Sequence, residues 1–312
     1  DDFADGSFDV VVINSVAQYF PNLEYLLSVI DGATRVISDT GYLFLGDLRS
    51  AEMLQAHHTS VQLFQAEDKL SIRDLQQRID QDVAQDEELL CDPGLFPALM
   101  RSNARISGIR YELKRGDFRN ELTRFRYDVT LRIGAAETPA AEPEIIGWSR
   151  DFNVDTIAAR ITDCPANGVW FRNVPDARLA PEALALDRLA MNDETLVTAG
   201  DLRKRIKDAV GIEPETLFTL AAANGIDIQT VVSKPGYMHV LIRPAGARPA
   251  TDGTLLVEAR RSALASYANN PLHGRLQRSL APLLKKHLKA SLPDYMVPSA
   301  FVTLSSFPLT PS

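Results

Sequence analysis

The sequence predicts an α/β fold, and three runs of residues carry that prediction. Phe8-Asp9-Val10-Val11-Val12-Ile13-Asn14 is apolar and largely β-branched without alternation, the pattern of a strand covered on both faces of a parallel sheet. Tyr42-Leu43-Phe44-Leu45 is a second such strand, set off by Gly41 and closing in Gly46-Asp47-Leu48-Arg49. Between them a helix-like stretch begins after Asn22, whose side-chain oxygen suits an N-cap, and runs to about Ile30. Strand, helix, strand at this spacing is a βαβ unit, with parallel strands and by default a right-handed crossover. The third run is a pair of β-rich stretches, 104–113 and 122–133, joined through Lys114-Arg115-Gly116-Asp117. Turn residues between two such stretches predict an antiparallel hairpin.

Other elements follow in order. Residues 51–78 have a helical pattern with Leu54, Val61, Leu63, Leu70 and Leu75 on the apolar side. The acids clustered over 80–88 read as a solvated helix face. Residues 135–143, rich in Ala, Pro and Glu, read as a surface loop. Beyond them the alternation continues: a helix over 156–161, a strand at Gly168-Val169-Trp170-Phe171, and helices over 202–210 and 214–224. Asn224-Gly225 ends the last of these as a C-cap. A closing strand pair, 226–232 and 237–242, turns around Lys234-Pro235-Gly236. Residues 244–254 make a linker, 276–288 an amphipathic basic helix broken at Leu292-Pro293, and 300–304 a short strand. No internal repeat is visible.

With 312 residues and 45% hydrophobic content, the chain has enough apolar surface for one large core or two ordinary ones. A net charge of −8 provides no footprint for a phosphate backbone, which argues against nucleic acid as a partner. Cys91 and Cys164 are too few for a disulfide framework or a zinc site and read as small buried hydrophobes. No apolar run approaches the roughly 18 residues of a membrane span. The opening Asp1-Asp2-Phe3 has neither an initiator Met nor a signal-like segment, and Pro311-Ser312 follows a strand-like run. The chain therefore reads as a stretch of something longer.

Ligands of open α/β sheets sit at the carboxyl ends of the strands. Two such ends are visible, Asn14-Ser15-Val16-Ala17-Gln18-Tyr19-Phe20 and Gly46-Asp47-Leu48-Arg49, although Asn, Ser, Gln and Tyr there serve turn polarity equally well. His57 and His58 point about a hundred degrees apart on a helix, so they do not share a metal easily. Either one faces the cleft as a base or both lie at the surface. His239, His273 and His287 are isolated. No nucleophile elbow, Walker loop or H-E-x-x-H helix is present, and no metal site is expected.

The run Phe8 to Pro21 resembles the fourth-strand motif of S-adenosylmethionine-dependent methyltransferases embedded in nonribosomal peptide synthetases. Gly46-Asp47-Leu48-Arg49 followed by His57-His58-Thr59-Ser60-Val61-Gln62 is similar to the next strand end and helix of those domains. Glu87-Glu88-Leu89-Leu90-Cys91-Asp92-Pro93 resembles the family as well. So does Lys114-Arg115-Gly116 with Asn120-Glu121-Leu122-Thr123-Arg124-Phe125-Arg126-Tyr127-Asp128, which looks like the final antiparallel strands. Farther on, Leu292-Pro293-Asp294-Tyr295-Met296-Val297-Pro298 and Phe307-Pro308-Leu309-Thr310-Pro311 look like the start of the small C-terminal subdomain of adenylation domains. Asn269-Asn270-Pro271-Leu272 resembles the re-entry point. In that family a methyltransferase is commonly inserted at this junction.

The resemblance implies a Rossmann-like class I methyltransferase sheet with an antiparallel final hairpin, followed by the start of a small α+β subdomain. The methyltransferase portion would occupy 1–262 and the adenylation portion 263–312. The implied activity is N-methylation of a carrier-protein-bound aminoacyl thioester by S-adenosylmethionine, with ATP-Mg serving the parent adenylation domain. Asn14, Gln18, Tyr19, His57 and His58 are the implied catalytic residues. Asp47, Arg49, Arg126 and Tyr127 would bind substrate, and Asn14, Ser15 and Val16 the cofactor. Implied partners are a phosphopantetheine-bearing carrier domain, the remainder of the adenylation domain and a small MbtH-like protein, in a cytoplasmic setting. The family's glycine-rich cofactor loop and ribose-holding acid would lie before Asp1, and its adenylation lysine after Ser312, so the stretch alone is expected to be inactive. Methylation at carbon or oxygen and a non-catalytic spacer role remain open. A free-standing methyltransferase conflicts with the Leu292 to Pro298 match.

Overall fold

The computed structural model describes residues 3–135, 142–191, 195–246, 257 and 263–301. Two four-stranded mixed sheets and ten α-helices make up the described residues, an α/β architecture compatible with a Rossmann-like fold. The first sheet has strands β1 (Phe8–Asn14), β2 (Ile37–Arg49), β3 (Ile106–Leu113) and β4 (Arg126–Ile133) in the order β1-β2-β4-β3. β1 and β2 run parallel, joined by α1 (Leu23–Val36), as the βαβ reading requires. The side chain of Asn22 accepts from the Tyr25 N–H, so the expected N-cap is in place. Antiparallel pairing of β2 with β4 and of β3 with β4 completes the sheet.

Between β2 and β3 lie α2 (Leu54–Gln65), α3 (Ile72–Gln85) and α4 (Leu95–Ser102). The single helical stretch expected over 51–78 is thus interrupted before Ser71, which caps α3. The hairpin connection also differs from a simple turn. It contains α5 (Glu121–Phe125), held by a reciprocal box between Asn120 and Thr123. Leu43, Leu45, Val129, Leu131, Ile109 and Tyr111 alternate onto one face and, with Leu26 and Ile30 of α1, form the first core.

β1 departs from expectation. Val11 and Ile13 pack against the core, but Val10 and Val12 are 52% and 61% exposed. β1 is an edge strand covered on one face; on the other, Phe3 packs against Phe8 at the strand's start and leaves Val10 and Val12 open.

The second sheet has β5 (Glu144–Gly147), β6 (Val169–Pro175), β7 (Ile226–Lys234) and β8 (Tyr237–Pro244), ordered β5-β6-β8-β7. α6 (Val154–Thr162) joins the parallel pair β5 and β6. α7 (Ala180–Ala190), α8 (Ala199–Ile206) and α9 (Pro214–Ala223) precede the antiparallel pair β7 and β8. β5 and α7 are additions to the sequence reading; the other elements of this half were expected within a few residues.

Strand order, strand directions and helix placement repeat those of the first sheet. The correspondence reaches single residues. β2 and β4 slip register between Leu45 and Leu48, and β6 and β8 slip between Phe171 and Val174. Each slip holds a non-glycine residue in the left-handed region, Asp47 (φ 60°) and Asn173 (φ 57°). Ser71-Ile72-Arg73-Asp74-Leu75 starts α3 as Thr198-Ala199-Gly200-Asp201-Leu202 starts α8, and in both the cap side chain accepts from the N–H of the Asp. The expectation of no internal repeat is therefore corrected. The repetition lies in topology, and the few shared residues are too sparse to stand out in the sequence.

The halves meet through corresponding elements. Ile72 N–H donates to Val197 O at 3.0 Å and Ala199 N–H to Leu70 O at 2.8 Å, while Leu75, Ile79, Leu202 and Ile206 share one small core. Arg110 on β3 pairs with Asp227 on β7 at 2.8 Å. Arg178, wholly buried, donates to the carbonyls of Lys114, Gly116 and Thr123 and pairs with Glu213 at 2.7 Å. A buried guanidinium is tolerated only with its donors matched in this way.

After the second sheet the chain returns to the first. Tyr267 is buried in the first core, Asn269 caps Leu90 N–H and Glu88 O, and Leu272 N–H donates to Pro21 O. α10 (Pro271–Ser291) follows and ends at the expected Leu292-Pro293 break. The loop expected over 135–143, the linker over 244–254 and the strand over 300–304 fall largely outside the described residues. Cys91 is buried as expected, whereas Cys164 is half-buried.

Candidate functional site

The carboxyl ends of β1 and β2 meet at a tight junction. Ser15 (φ 56°) and Asp47 (φ 60°) are both left-handed non-glycine residues, a costly backbone state that tends to mark functional turns. Ser15 N–H donates to Gly46 O at 3.2 Å, and its hydroxyl donates to the Asp47 carboxylate. A Cβ on Gly46 would stand 1.9 Å from Asn14 Oδ1, so only glycine lets the Asn14 amide lie across the strand end. The short helical turn Ala17–Tyr19 follows. Gln18 is buried and donates through Nε2 to Ser15 O at 3.1 Å, leaving Oε1 without a partner. Val16 and Tyr19 face solvent at 44% and 66% exposure.

Behind this junction runs a chain of charges. Lys114 Nζ lies 2.7 Å from Asp47 and 3.0 Å from both oxygens of Asp128, which also accepts the Asp47 N–H. Burial alone would raise the Asp47 pKa, but the hydrogen bonds from Lys114 and Ser15 carry it below the ordinary value. Lys114 is shifted upward: burial lowers it, and its two carboxylates more than compensate. Arg126 reaches Asp47 O, pairs with Glu121 at 2.6 Å and approaches Glu88 at 3.6 Å. Arg49 is held by both oxygens of Asp86 at 2.9 Å and by Glu88 at 3.1 Å. His58 Nε2 sits 3.0 Å from the same Asp86, and Gln62 donates to Asp82 at 2.6 Å. Asp86 is held well below the usual carboxylate range: its burial is outweighed by His58 and Arg49. His57 packs edge-on against Phe125, with its Nδ1 buried and unpartnered. Burial first, then the Arg49 charge, lowers its pKa to about 4, so the ring is neutral at pH 7.

No protein-family model matches the chain. It is 37% identical over 99% of its length to the chondramide synthase of Chondromyces crocatus, of which it spans 8%. It is 31% identical over 98% to a probable non-canonical nonribosomal peptide synthetase of Salinispora arenicola, spanning 3% of it. To the beauvericin nonribosomal cyclodepsipeptide synthetase of Beauveria bassiana it is 28% identical over 96%, spanning 10% of that protein. Its relatives are nonribosomal peptide synthetases. The chain spans about a tenth or less of each of these three.

In this synthetase-related region Asn14, Ser15, Gln18 and Asp47 gather at the strand ends. Arg49, His58 and Arg126 stand in the charge chain behind them, and His57 packs beside it. Tyr127 goes elsewhere: it is buried in the core with its hydroxyl on Cys91 O at 2.9 Å. Substrate binding by Tyr127 does not fit this placement, because β4 alternation puts it on the core face with Val129 and Leu131. The two histidines are not both at the surface; the side chain of His58 is 13% exposed and committed to Asp86. The acids over 80–88 are likewise not a plain solvated face, since Asp86 is the main partner of Arg49. Lys114 and Asp128, which bind the site together, carry no role that the sequence alone predicts. Their only signal was membership of the Lys114 to Asp128 motif. Among the described residues no His, Cys, Asp and Glu cluster suits a metal.

Proposed function

We propose that this region forms the strand-end part of a methyltransferase site that N-methylates an aminoacyl thioester within a nonribosomal peptide synthetase. The observation that carries the reading is the Asn14–Ser15–Gln18 junction, where a buried amide oxygen of Gln18 has no partner and Gly46 clears space for Asn14. An α-amine, with an ordinary pKa of about 8, must lose a proton before its lone pair can react. Gln18 Oε1 and Asn14 Oδ1 accept N–H bonds and orient that lone pair. Tyr19 stands at the open side, where a tethered substrate enters. His57, neutral at pH 7, adds a further acceptor, while His58 positions Asp86 and through it Arg49. S-adenosylmethionine, when bound, supplies an electrophilic methyl group on a sulfonium; Asn14, Ser15 and Val16 are the residues here that would hold it. Lys114 and Asp128 keep Asp47 fixed so that the junction does not relax.

Exposed Leu280, Leu283 and Leu284 of α10, with Tyr295 and Met296 beyond it, support packing of this end against the rest of an adenylation domain. The carrier domain would present the substrate at the strand ends. The test is made in the complete synthetase module. Asn14→Ala and Tyr19→Phe should each lower methyl transfer by about 10- to 100-fold, the factor of one lost hydrogen bond to the reacting group. Product mass spectrometry reads the methylated atom, and amino-acid-dependent pyrophosphate exchange confirms an intact adenylation domain. Unchanged methylation in both variants sinks the assignment.

A further inference from the structure

The repeated half has its own strand-end cleft. β5 and β6 run parallel, and their carboxyl ends open into a cavity of about 710 Å³. That is the position where open α/β sheets bind ligands, and it corresponds in topology to the Asn14–Asp47 junction of the first sheet. The cavity lies beside the register slip that holds Asn173 in its left-handed state, as Asp47 is held in the first half.

Its lining is a different chemistry from that of the first site. Trp148 and Phe152 stand perpendicular with ring centroids 5.6 Å apart, and Tyr237, Val210 and Ile212 extend the apolar wall. At the rim Arg150 has no ion-pair or hydrogen-bond partner among the described residues. Glu213 is the lining carboxylate, and Arg178 and Arg119 neutralise it at 2.7 and 3.3 Å. The first turns of α6 and α9 also border the cavity through Asn153, Val154 and Thr216, and each carries an acid, Asp155 and Glu215, that offsets the positive end of its helix. The floor is therefore aromatic, and the rim presents the Arg150 guanidinium, unpaired among the described residues.

We propose that this cleft is a second binding site, selective for a small carboxylate with an aromatic or branched hydrocarbon body. The rings take the body, and the Arg150 guanidinium takes the carboxylate in a two-point hydrogen bond. No covalent step is involved, and the site does not depend on the methyltransferase reading.

Isothermal titration of the 312-residue chain with 3-phenylpropanoate, and separately with its neutral amide 3-phenylpropanamide, tests the proposal. Wild-type protein should bind the carboxylate about tenfold more tightly than the amide, the factor that 1.4 kcal/mol represents. Arg150→Gln, at an exposed position that leaves the fold intact, should erase that preference and leave amide binding unchanged. Arg110→Gln, at the β3–β7 contact away from this cleft, should alter neither affinity. Absence of heat at millimolar carboxylate, equal affinity for the two probes, or a preference that survives Arg150→Gln would each overturn the proposal.

Discussion

Removing the Lys114 charge is the sharpest probe of the junction. In Lys114→Met the stem is kept and the ammonium lost, leaving the Asp47 and Asp128 carboxylates facing each other without the cation that both touch at 2.7–3.0 Å. All three side chains are largely buried, at 21%, 7% and 15% exposure. Breaking such a set costs about 3–5 kcal/mol, mainly from stranded charge rather than from the lost attraction. Three kcal/mol corresponds to a drop of roughly 6–12 °C in melting temperature for a domain of ordinary size.

The pH dependence is more diagnostic than the size. In the wild type, Asp47 has a depressed pKa, so its contribution is complete above the unfolded value near 4 and fades only in acid. In the variant the two carboxylates share a site, and one holds its proton to higher pH. The penalty should therefore be largest at pH 8 and smaller at pH 5. Urea unfolding at both pH values measures it. A penalty below about 0.5 kcal/mol, the scatter of ordinary surface substitutions, or one equal at the two pH values, would refute the reasoning.

Two further outcomes follow from single residues. Asp176 is buried, and burial raises its pKa to about 6 against the Arg178 N–H bond that lowers it. The folded state thus loses stability as pH rises from about 4 through 6, and Asp176→Asn should recover about 2–3 kcal/mol at pH 8 but nothing at pH 4. Equal gains at both would show that the pKa of Asp176 does not shift on folding. Gly46→Ala puts a methyl on Asn14 Oδ1, so methyl transfer in the full module should fall as far as in Asn14→Ala while unfolding shifts by only about 1–3 kcal/mol. Wild-type transfer would mean that Asn14 does not act from this position.

Local signals in the sequence are legible because they act over a few residues. Asn22 caps α1, Asn224 with Gly225 (φ 63°) ends α9, and the β1–α1–β2 unit follows from its apolar runs. β5, four residues long, offered too short a pattern to read. The site was half legible. Its strand ends follow from topology, but the partners of Asp47 and Arg49 lie far along the chain, on other elements. A buried Arg178 or Lys114 looks like any surface cation until its carbonyls and carboxylates are located. Tyr127 is the opposite case: its alternation with Val129 and Leu131 marks the core face, and the resemblance that implied substrate binding pointed away from it.

Arg178 also sets where this polypeptide tolerates being cut. It belongs by sequence to the second half, yet its guanidinium closes three carbonyls of the β3–β4 connection in the first. A chimera joined between the two sheets would empty that socket and bare both halves of a shared core. Swaps between synthetases should therefore carry residues 8–272 as one indivisible cassette, since Tyr267 and Asn269 return to the first half, with their seams outside it.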